Sequence, residues 1–163
     1  MKKVVGILTV LLVIIGAVVI IVLAKNTPKN FSEEYRFPSA TWNKMNFATF
    51  AFDIPDSYVG KPFAIYIEMV HSPIIQRDKM LVNLNIYSPG GDTRVSEHQV
   101  HFKNPEGKFK GDVIDNIFTM KQILRRNFVF SQSGKWKFEI EQRSELYDFT
   151  GLESMRLVFE EMR

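Results

Sequence analysis

Residues 130–142 read FSQSGKWKFEIEQ, and this stretch decides the fold. Polar residues and a glycine at 131–134 supply what a chain reversal needs. The apolar side chains of Trp136, Phe138 and Ile140 then alternate with lysines and glutamates. A period of two places the apolar residues on one face and the charged residues on the other. The stretch therefore predicts a turn followed by a half-buried β-strand.

The same alternation recurs in four other runs, separated by segments rich in glycine, proline and aspartate. Short strands at even spacing, each with one wet face, predict a mainly β chain. We expect a two-sheet antiparallel β-sandwich over residues 40–163, with further strands near 95–102 and 127–130. Strand order does not follow from the pattern, so jelly-roll and immunoglobulin-like forms both remain open. Residues 115–126 (DNIFTMKQILRR) could form a helical turn or two. The apolar positions of the four runs are Phe50, Phe52, Ile54; Phe63, Ile65, Ile67, Met69; Val82, Leu84, Ile86; and Met155, Leu157, Phe159.

An apolar segment without charges runs from Val4 to Leu23. Twenty residues of helix span about 30 Å, the hydrocarbon thickness of a bilayer. We expect a transmembrane anchor over residues 1–24, followed by a polar linker over residues 25–39. The basic amino end then predicts a single pass through the inner membrane with the larger domain in the periplasm. A cleaved signal with an exported domain is the alternative, although signal cores are usually shorter.

Composition excludes several classes of protein. The chain has no cysteine, which rules out disulfides, thiol catalysis, thiolate metal sites and a lipid-modified cysteine. Lys2 and Lys3 account for most of the net charge of +3, and no basic face with interleaved aromatic residues is visible, so we expect no nucleic-acid partner. Phosphate-binding glycine loops and a GxSxG nucleophile motif are also missing from the sequence.

Histidines and carboxylates offer few candidates for chemistry. His98 and His101 are three residues apart, a spacing that puts them on opposite faces of a strand. His71 lies far away beside a proline turn, so a structural or surface role is expected for all three. Glu139 and Glu141 share a strand face with two lysines, which predicts a charge-balanced surface rather than a glycosidase pair.

The remaining candidates also have simple interpretations. Asp112 and Asp115 have the character of turn residues, because calcium would need more oxygen ligands. The basic groups below could contact an acidic partner or lipid headgroups, although a solvated helix face is the simpler explanation. The aromatic groups could build a protein contact or equally be core. We therefore predict no catalytic, cofactor-binding or metal-binding residue and no enzymatic activity. The basic groups are Lys121, Arg125 and Arg126, and the aromatic groups are Tyr66, Tyr87, Tyr147 and Phe149.

The order of motifs resembles the gliding-motility lipoprotein GldH family of Bacteroidota. Its strongest part is the stretch 130–142, and it extends over most of residues 37–160. The resemblance implies a small envelope protein of the gliding apparatus or an associated secretion machinery, without catalytic residues. Family members look like lipoproteins with a cysteine after a short signal, whereas this chain has a long apolar segment and no cysteine. The other matching segments are Trp42, 50–56 (FAFDIPD), 88–91 (SPGG), 104–112 (NPEGKFKGD) and 151–152 (GL).

Two functional hypotheses follow. The first is a non-enzymatic, membrane-anchored accessory protein that acts by contact with other envelope proteins. The second is a glycan-binding envelope module, for which Tyr66 and Tyr87 are the candidate aromatic platform. Binding of cell-wall fragments that disappears on Tyr87→Ala would favour the second.

Overall fold

The structure is a computed structural model that describes residues 30–162. Eleven strands and two short 3₁₀ turns account for most of this part of the chain. The strands are β1 (Asn30–Arg36), β2 (Thr41–Asn43), β3 (Ala48–Ile54), β4 (Pro62–His71), β5 (Lys79–Tyr87), β6 (Thr93–His101), β7 (Asp112–Ile114), β8 (Ile117–Val129), β9 (Gly134–Gln142), β10 (Asp148–Thr150) and β11 (Leu152–Glu161).

The strands form three sheets in which every pair is antiparallel. A five-stranded sheet has the order β1-β11-β4-β8-β7, a four-stranded sheet has the order β3-β9-β5-β6, and β10 pairs with β2. The prediction of a mainly β, antiparallel chain is confirmed. All five alternating runs of the sequence are strands, namely β3, β4, β5, β9 and β11.

The two larger sheets face each other across a layer of aromatic side chains. Phe159 of β11 lies at its centre and is fully buried. Its ring centroid is 5.1 Å from that of Phe138 on β9 and 5.1 Å from that of Phe52 on β3, both in the other sheet. Edge-to-face contacts of this kind add to the stabilisation that burial alone provides. Packing of phenylalanines thus joins the sheets in a chain without disulfides.

Side chains of the five-stranded sheet reach the open edges of the four-stranded sheet. On one side, Glu33 of β1 accepts a hydrogen bond at Oε2 from the backbone N–H of Ala51 on β3 (2.7 Å). On the other side, Gln122 of β8 bonds to backbone groups of β6. Unpaired edge groups are a template for aggregation, and these contacts satisfy part of them from within the molecule.

The linker predicted for residues 25–39 is wrong from residue 30 onward, because β1 lies there and pairs with β11. Phe31 stacks on Phe159 at 4.8 Å and contacts Phe52 at 5.4 Å, so the segment belongs to the core. The strand escaped prediction because Glu33, rather than an apolar residue, occupies the inward position between Phe31 and Tyr35.

The suggestion of helical turns at residues 115–126 is also wrong, since β8 covers most of this segment. Its register against β4 shifts twice: Phe63 lies opposite Phe128, Ile65 opposite Arg125, and Tyr66 opposite Ile123. Such bulges add residues that face no partner and disrupt the period of two. The disrupted alternation imitates a helical pattern, whereas hydrogen bonding to β4 and β7 decides for a strand.

The predicted transmembrane helix at residues 4–23 lies outside the described residues. Within residues 30–162, no helix has the length and apolar character needed to cross a bilayer.

Candidate functional site

The histidines do not converge on one site. His98 points from β6 into the gap between the sheets, and its Nε2 lies 2.8 Å from Ser96 Oγ. His101 lies on the opposite face of β6, as its spacing predicts. Residues 30–162 contain no group of three or more histidine, aspartate or glutamate side chains placed to hold a metal ion.

His71 ends β4 as a buried residue in an aromatic environment. Its ring lies 5.3 to 5.4 Å from those of Phe102, Phe109 and Phe118. Nδ1 lies 3.1 Å from the carbonyl oxygen of Ser72, so it carries the proton and donates. Nε2 has no hydrogen-bond partner within the described chain. Burial lowers the pKa of His71, and the imidazole is held neutral in the core.

Glu139 and Glu141 form ion pairs on the outer face of the four-stranded sheet. Lys137 Nζ lies 3.0 Å from Glu139, and Arg143 lies 3.1 Å from Glu141. Asn83 Nδ2 also donates to Glu141 at 3.0 Å. Paired carboxylates on an open sheet face favour the charge-balanced surface that the sequence predicts.

The two tyrosines proposed as a platform lie on opposite sides of the molecule. Tyr66 is on the outer face of the five-stranded sheet, where Lys121 Nζ lies 4.5 Å from its ring centroid. Tyr87 is on the outer face of the four-stranded sheet, under Lys137 at 4.2 Å. A hydrogen bond with Glu139 raises the pKa of Tyr87. One glycan cannot stack on both rings.

The other aromatic and acidic candidates also separate. Phe149 is fully buried, whereas Tyr147 is exposed. Asp112 belongs to β7, and Asp115 with Asn116 forms the two-residue turn between β7 and β8, both at positive φ. Asparagine and aspartate tolerate this conformation in tight hairpins, which explains their presence.

The basic cluster is divided between surfaces, because β8 alternates and then bulges. Lys121 points outward and forms an ion pair with Glu160. Arg125 pairs in register with the inward-facing Ile65 and is half-buried, while Arg126 is exposed. Burial lowers the pKa of His98, and the nearby positive charge of Arg125 lowers it further.

Exposed apolar residues gather at one end of the molecule. Strand β1 begins at Asn30 opposite Glu160, near the end of β11, so the chain enters the domain at that end. The far end is defined here by the connections around residues 44–47, 72–78, 102–116 and 143–147. At about 3.3 Å per residue, the ten residues of β11 separate the two ends by about 30 Å. Of the eight exposed large apolar residues within 30–162, six lie at the far end: Met45, Phe47, Ile74, Val113, Ile114 and Tyr147.

Local contacts hold the segments that carry several of these residues at the far end. Lys44, next to Met45, donates its backbone N–H to the carbonyl oxygen of Tyr147 at 2.7 Å. The backbone at Ile74 and Ile75 lies against Gly151, directly after β10. Val113 pairs with Phe118, which in turn lies opposite His71 at the end of β4. Sequence reasoning missed this surface, although apolar residues inside turn-rich connections were a visible signal.

A cleft of about 530 Å³, lined mostly by polar and charged residues, borders the far end. Its charges are mixed, and two of them are already paired: Asp78 with Lys103 at 2.6 Å and Arg143 with Glu141. An apolar centre with a polar, charged rim is the usual anatomy of a protein-binding surface. The cleft is lined by Arg77, Asp78, Lys79, Leu81, Gln99, Arg143, Ser144 and Glu145.

Fold and surface define a mainly antiparallel β domain in which Glu139 and Glu141 are ion-paired and the far end exposes apolar side chains. The family model described as GldH lipoprotein matches residues 29–155, and the chain belongs to this family. It is 24% identical over 114 residues to a protein of Flavobacterium johnsoniae named gliding motility lipoprotein GldH, covering 70% of this chain and 69% of that protein. The predicted family resemblance is confirmed, and it supports a role in gliding motility at the cell envelope.

Solved structures with partial likeness come from other proteins. The VP2 subviral particle of infectious bursal disease virus has a TM-score of 0.40 at 14% identity over 83% of this chain. Dimeric latent PorU of Porphyromonas gingivalis has a TM-score of 0.36 at 8% identity over 82% of this chain. This chain spans 33% and 13% of their respective lengths.

Proposed function

We propose that the chain is a non-enzymatic accessory protein of the gliding machinery or an associated secretion machinery, and that it acts by contact with other envelope proteins. The observation that carries the proposal is the gathering of six exposed apolar side chains at the far end. Monomeric proteins rarely expose contiguous apolar surface without a use for it, and a polar rim beside it favours a protein partner.

The geometry of chain entry supports a tether. Residues 4–23 would hold the domain at the inner membrane, and entry at Asn30 would direct the far end away from the bilayer into the periplasm. Confinement to a surface raises the effective concentration of the domain near other membrane-bound components. With no cysteine in the sequence, the apolar segment takes the place that a lipid has in lipoproteins.

The eight longer strands support a jelly-roll interpretation of the predicted two-sheet sandwich. Their order is β1-β11-β4-β8 in one sheet and β3-β9-β5-β6 in the other. The chain crosses between sheets from β3 to β4, from β4 to β5 and from β8 to β9, which is the connectivity expected of paired Greek keys. Such a framework leaves the end connections free to vary, and the apolar residues lie in those connections.

The interaction surface can be tested with a matched pair of charge substitutions in the full chain. Ile114 at the far end is 75% exposed, and Val95 on the outer face of β6 is 63% exposed. Each variant is expressed in a strain that lacks the wild-type protein. Ile114→Asp should abolish gliding, and proteins of the gliding machinery should no longer be recovered with the variant from native membranes. Val95→Asp should preserve both. Equal effects of the two variants, with wild-type circular dichroism, would contradict the proposal.

The tether has a separate test. Deletion of residues 1–24 should release the domain from membranes and abolish gliding. Normal gliding with that fragment would count against a tether role. The amino-terminal residue of the mature protein distinguishes the two forms: Met1 indicates a retained anchor, and Lys25 indicates cleavage and export.

A further inference from the structure

Strand β6 breaks the inward alternation that the rest of its sheet follows. In register with the buried Ile86, Leu84 and Val82 of β5, it presents Arg94, Ser96 and His98. These three positions are exposed or half-buried, whereas the β5 positions opposite them are buried. Polar residues at inward positions make this part of the sheet edge an opening between the sheets rather than a core.

The facing strand of the other sheet also has polar residues at this opening. Gln122 and Arg125 of β8 pair with the inward-facing Ile67 and Ile65 of β4. The two bulges flank Arg125, and Asn127, two residues further along, has a φ of 55°. Bulges re-aim side chains and are frequent beside functional sites. They bring Arg125 into the gap, with its guanidinium 5.7 Å from the ring centroid of Phe128.

The positive charge at this opening has no ion-pair partner within the described part of the chain. Arg94 and Arg125 form no ion pair with any residue in 30–162, whereas Lys121, Lys137 and Arg156 elsewhere on the sheets all do. Ser96 Oγ and His98 Nε2 lie 2.8 Å apart, and one proton joins them in a hydrogen bond. If Ser96 donates that proton, Nδ1–H of neutral His98 is free to donate to another acceptor; if His98 donates it, the hydroxyl of Ser96 is free. The pair therefore supplies a neutral donor in either case. Guanidinium groups match the oxygens of phosphate in a planar fork.

We propose that the opening between β6 and β8 binds a phosphate group, held by Arg125 and Arg94 with the Ser96–His98 pair as a neutral donor. Gln122 closes the opening on the far-end side through its bonds to β6. The open part lies toward Thr93 and Val129, at the same end of the sheets as Asn30. The group can therefore come from free phosphate or from a lipid headgroup beside the chain entry.

Calorimetric titration of the full chain in nonionic, phosphate-free micelles with inorganic phosphate tests the site. The wild type should bind one phosphate saturably, and Arg125→Gln should weaken binding by at least ~10-fold, the effect of removing one charge-assisted hydrogen bond. Arg126→Gln is the matched control, since it removes the same charge from the next residue of the same strand. It should change the affinity by less than about 2-fold, because solvent screens the charge of an exposed side chain. Arg125→Lys, which keeps the charge without the fork, should lie between the two.

Two results would overturn the proposal: no saturable binding by the wild type, or equal weakening by Arg125→Gln and Arg126→Gln. If Arg125→Gln loses the circular dichroism signal of a β-sheet, Arg94→Gln tests the site in its place. Arg94 is exposed on an edge strand, so its substitution should not disturb the fold. A water-soluble short-chain phosphatidylglycerol, with phosphatidylcholine as its neutral counterpart, then identifies the source. Competition by phosphatidylglycerol alone indicates a headgroup, and absence of competition indicates free phosphate.

Discussion

Gln122 on β8 closes the edge of β6 at His101. Its Oε1 accepts a hydrogen bond from the backbone N–H of His101 at 3.1 Å, and its Nε2 donates to the carbonyl oxygen of Gln99 at 2.7 Å. One amide thus satisfies a backbone donor and a backbone acceptor that no strand would otherwise pair. Only a side chain with both a donor and an acceptor can do this, which explains glutamine at an inward position.

Gln122→Ala should therefore loosen this edge. Removing two hydrogen bonds, one part-buried and one exposed, should cost about 1–3 kcal/mol of unfolding free energy. Hydrogen exchange of the His101 amide should become faster, because its partner has gone. Gln99→Ala is the control: Gln122 bonds to the main-chain oxygen of that residue, so truncating its side chain should leave the His101 amide protected. Unchanged exchange in Gln122→Ala would show that the bridge does not protect the edge.

Phe159→Ala should be among the most destabilising single changes in residues 30–162. The side chain is fully buried, and its ring contacts Phe31, Phe52 and Phe138 from both sheets. Removing a buried phenylalanine leaves a cavity and typically costs about 3–5 kcal/mol. Denaturant unfolding measures the decrease in stability. Val95→Ala, at an exposed position, should stay within about 0.5 kcal/mol of the wild type, and similar values for the two variants would refute the central role of Phe159.

Gly111→Ala should destabilise far more than Gly107→Ala. Both glycines have positive φ, 93° and 78°, so both substitutions carry the strain of a left-handed conformation, about 1–2 kcal/mol. A Cβ at Gly111 would also overlap the carbonyl oxygen of Thr119 on β8, whereas a Cβ at Gly107 meets nothing within 4 Å. The difference in melting temperature between the variants isolates the steric term. Equal destabilisation would mean that β7 can move away from β8 freely.

Acidification should destabilise the domain through His71. Burial lowers the pKa of His71 in the folded state, so below about pH 6.5, its usual value, the unfolded chain binds the proton more readily. The contribution to stability is therefore complete above pH 6.5 and is lost as the pH falls toward the folded-state pKa. Unfolding free energies measured from pH 7.5 to pH 5 should show this decline.

The matched comparison is His71→Phe, made in a His98→Asn background so that the lowered pKa of His98 does not contribute. Phenylalanine suits the surrounding aromatic rings and has no titrating group. The decline between pH 6.5 and pH 5 should become shallower in the His71→Phe variant. A slope equal to that of the parent would exclude His71 as its source.

Strands with an intact period of two could be predicted, and strands whose alternation is interrupted could not. Trp136, Phe138 and Ile140 show their common face directly in the sequence, because both neighbours of β9 are regular strands. Strand β1 was missed because one of its inward positions holds the charged Glu33, which bonds to the edge strand β3 of the other sheet and interrupts the apolar alternation. Strand β8 was missed because two bulges shift its register. In both cases, contact with a distant strand outweighs the local pattern.

For candidate chemistry, spacing was enough to separate His98 from His101, since the two faces of a strand are a local property. It could not separate Tyr66 from Tyr87, because each looks like an outward residue of some strand. Which sheet holds each strand depends on pairings between segments far apart in the chain. The far end and the opening beside Arg125 were hidden for the same reason.

Alternating side chains and turn residues, by themselves, determined that this protein is built of antiparallel strands, because the direction of a side chain along a strand is fixed by local geometry. Tertiary structure alone decided the order of those strands, the apolar far end and the unpaired arginines between β6 and β8. Each depends on which distant segments meet, and that is set by burial of the shared aromatic layer rather than by any single segment.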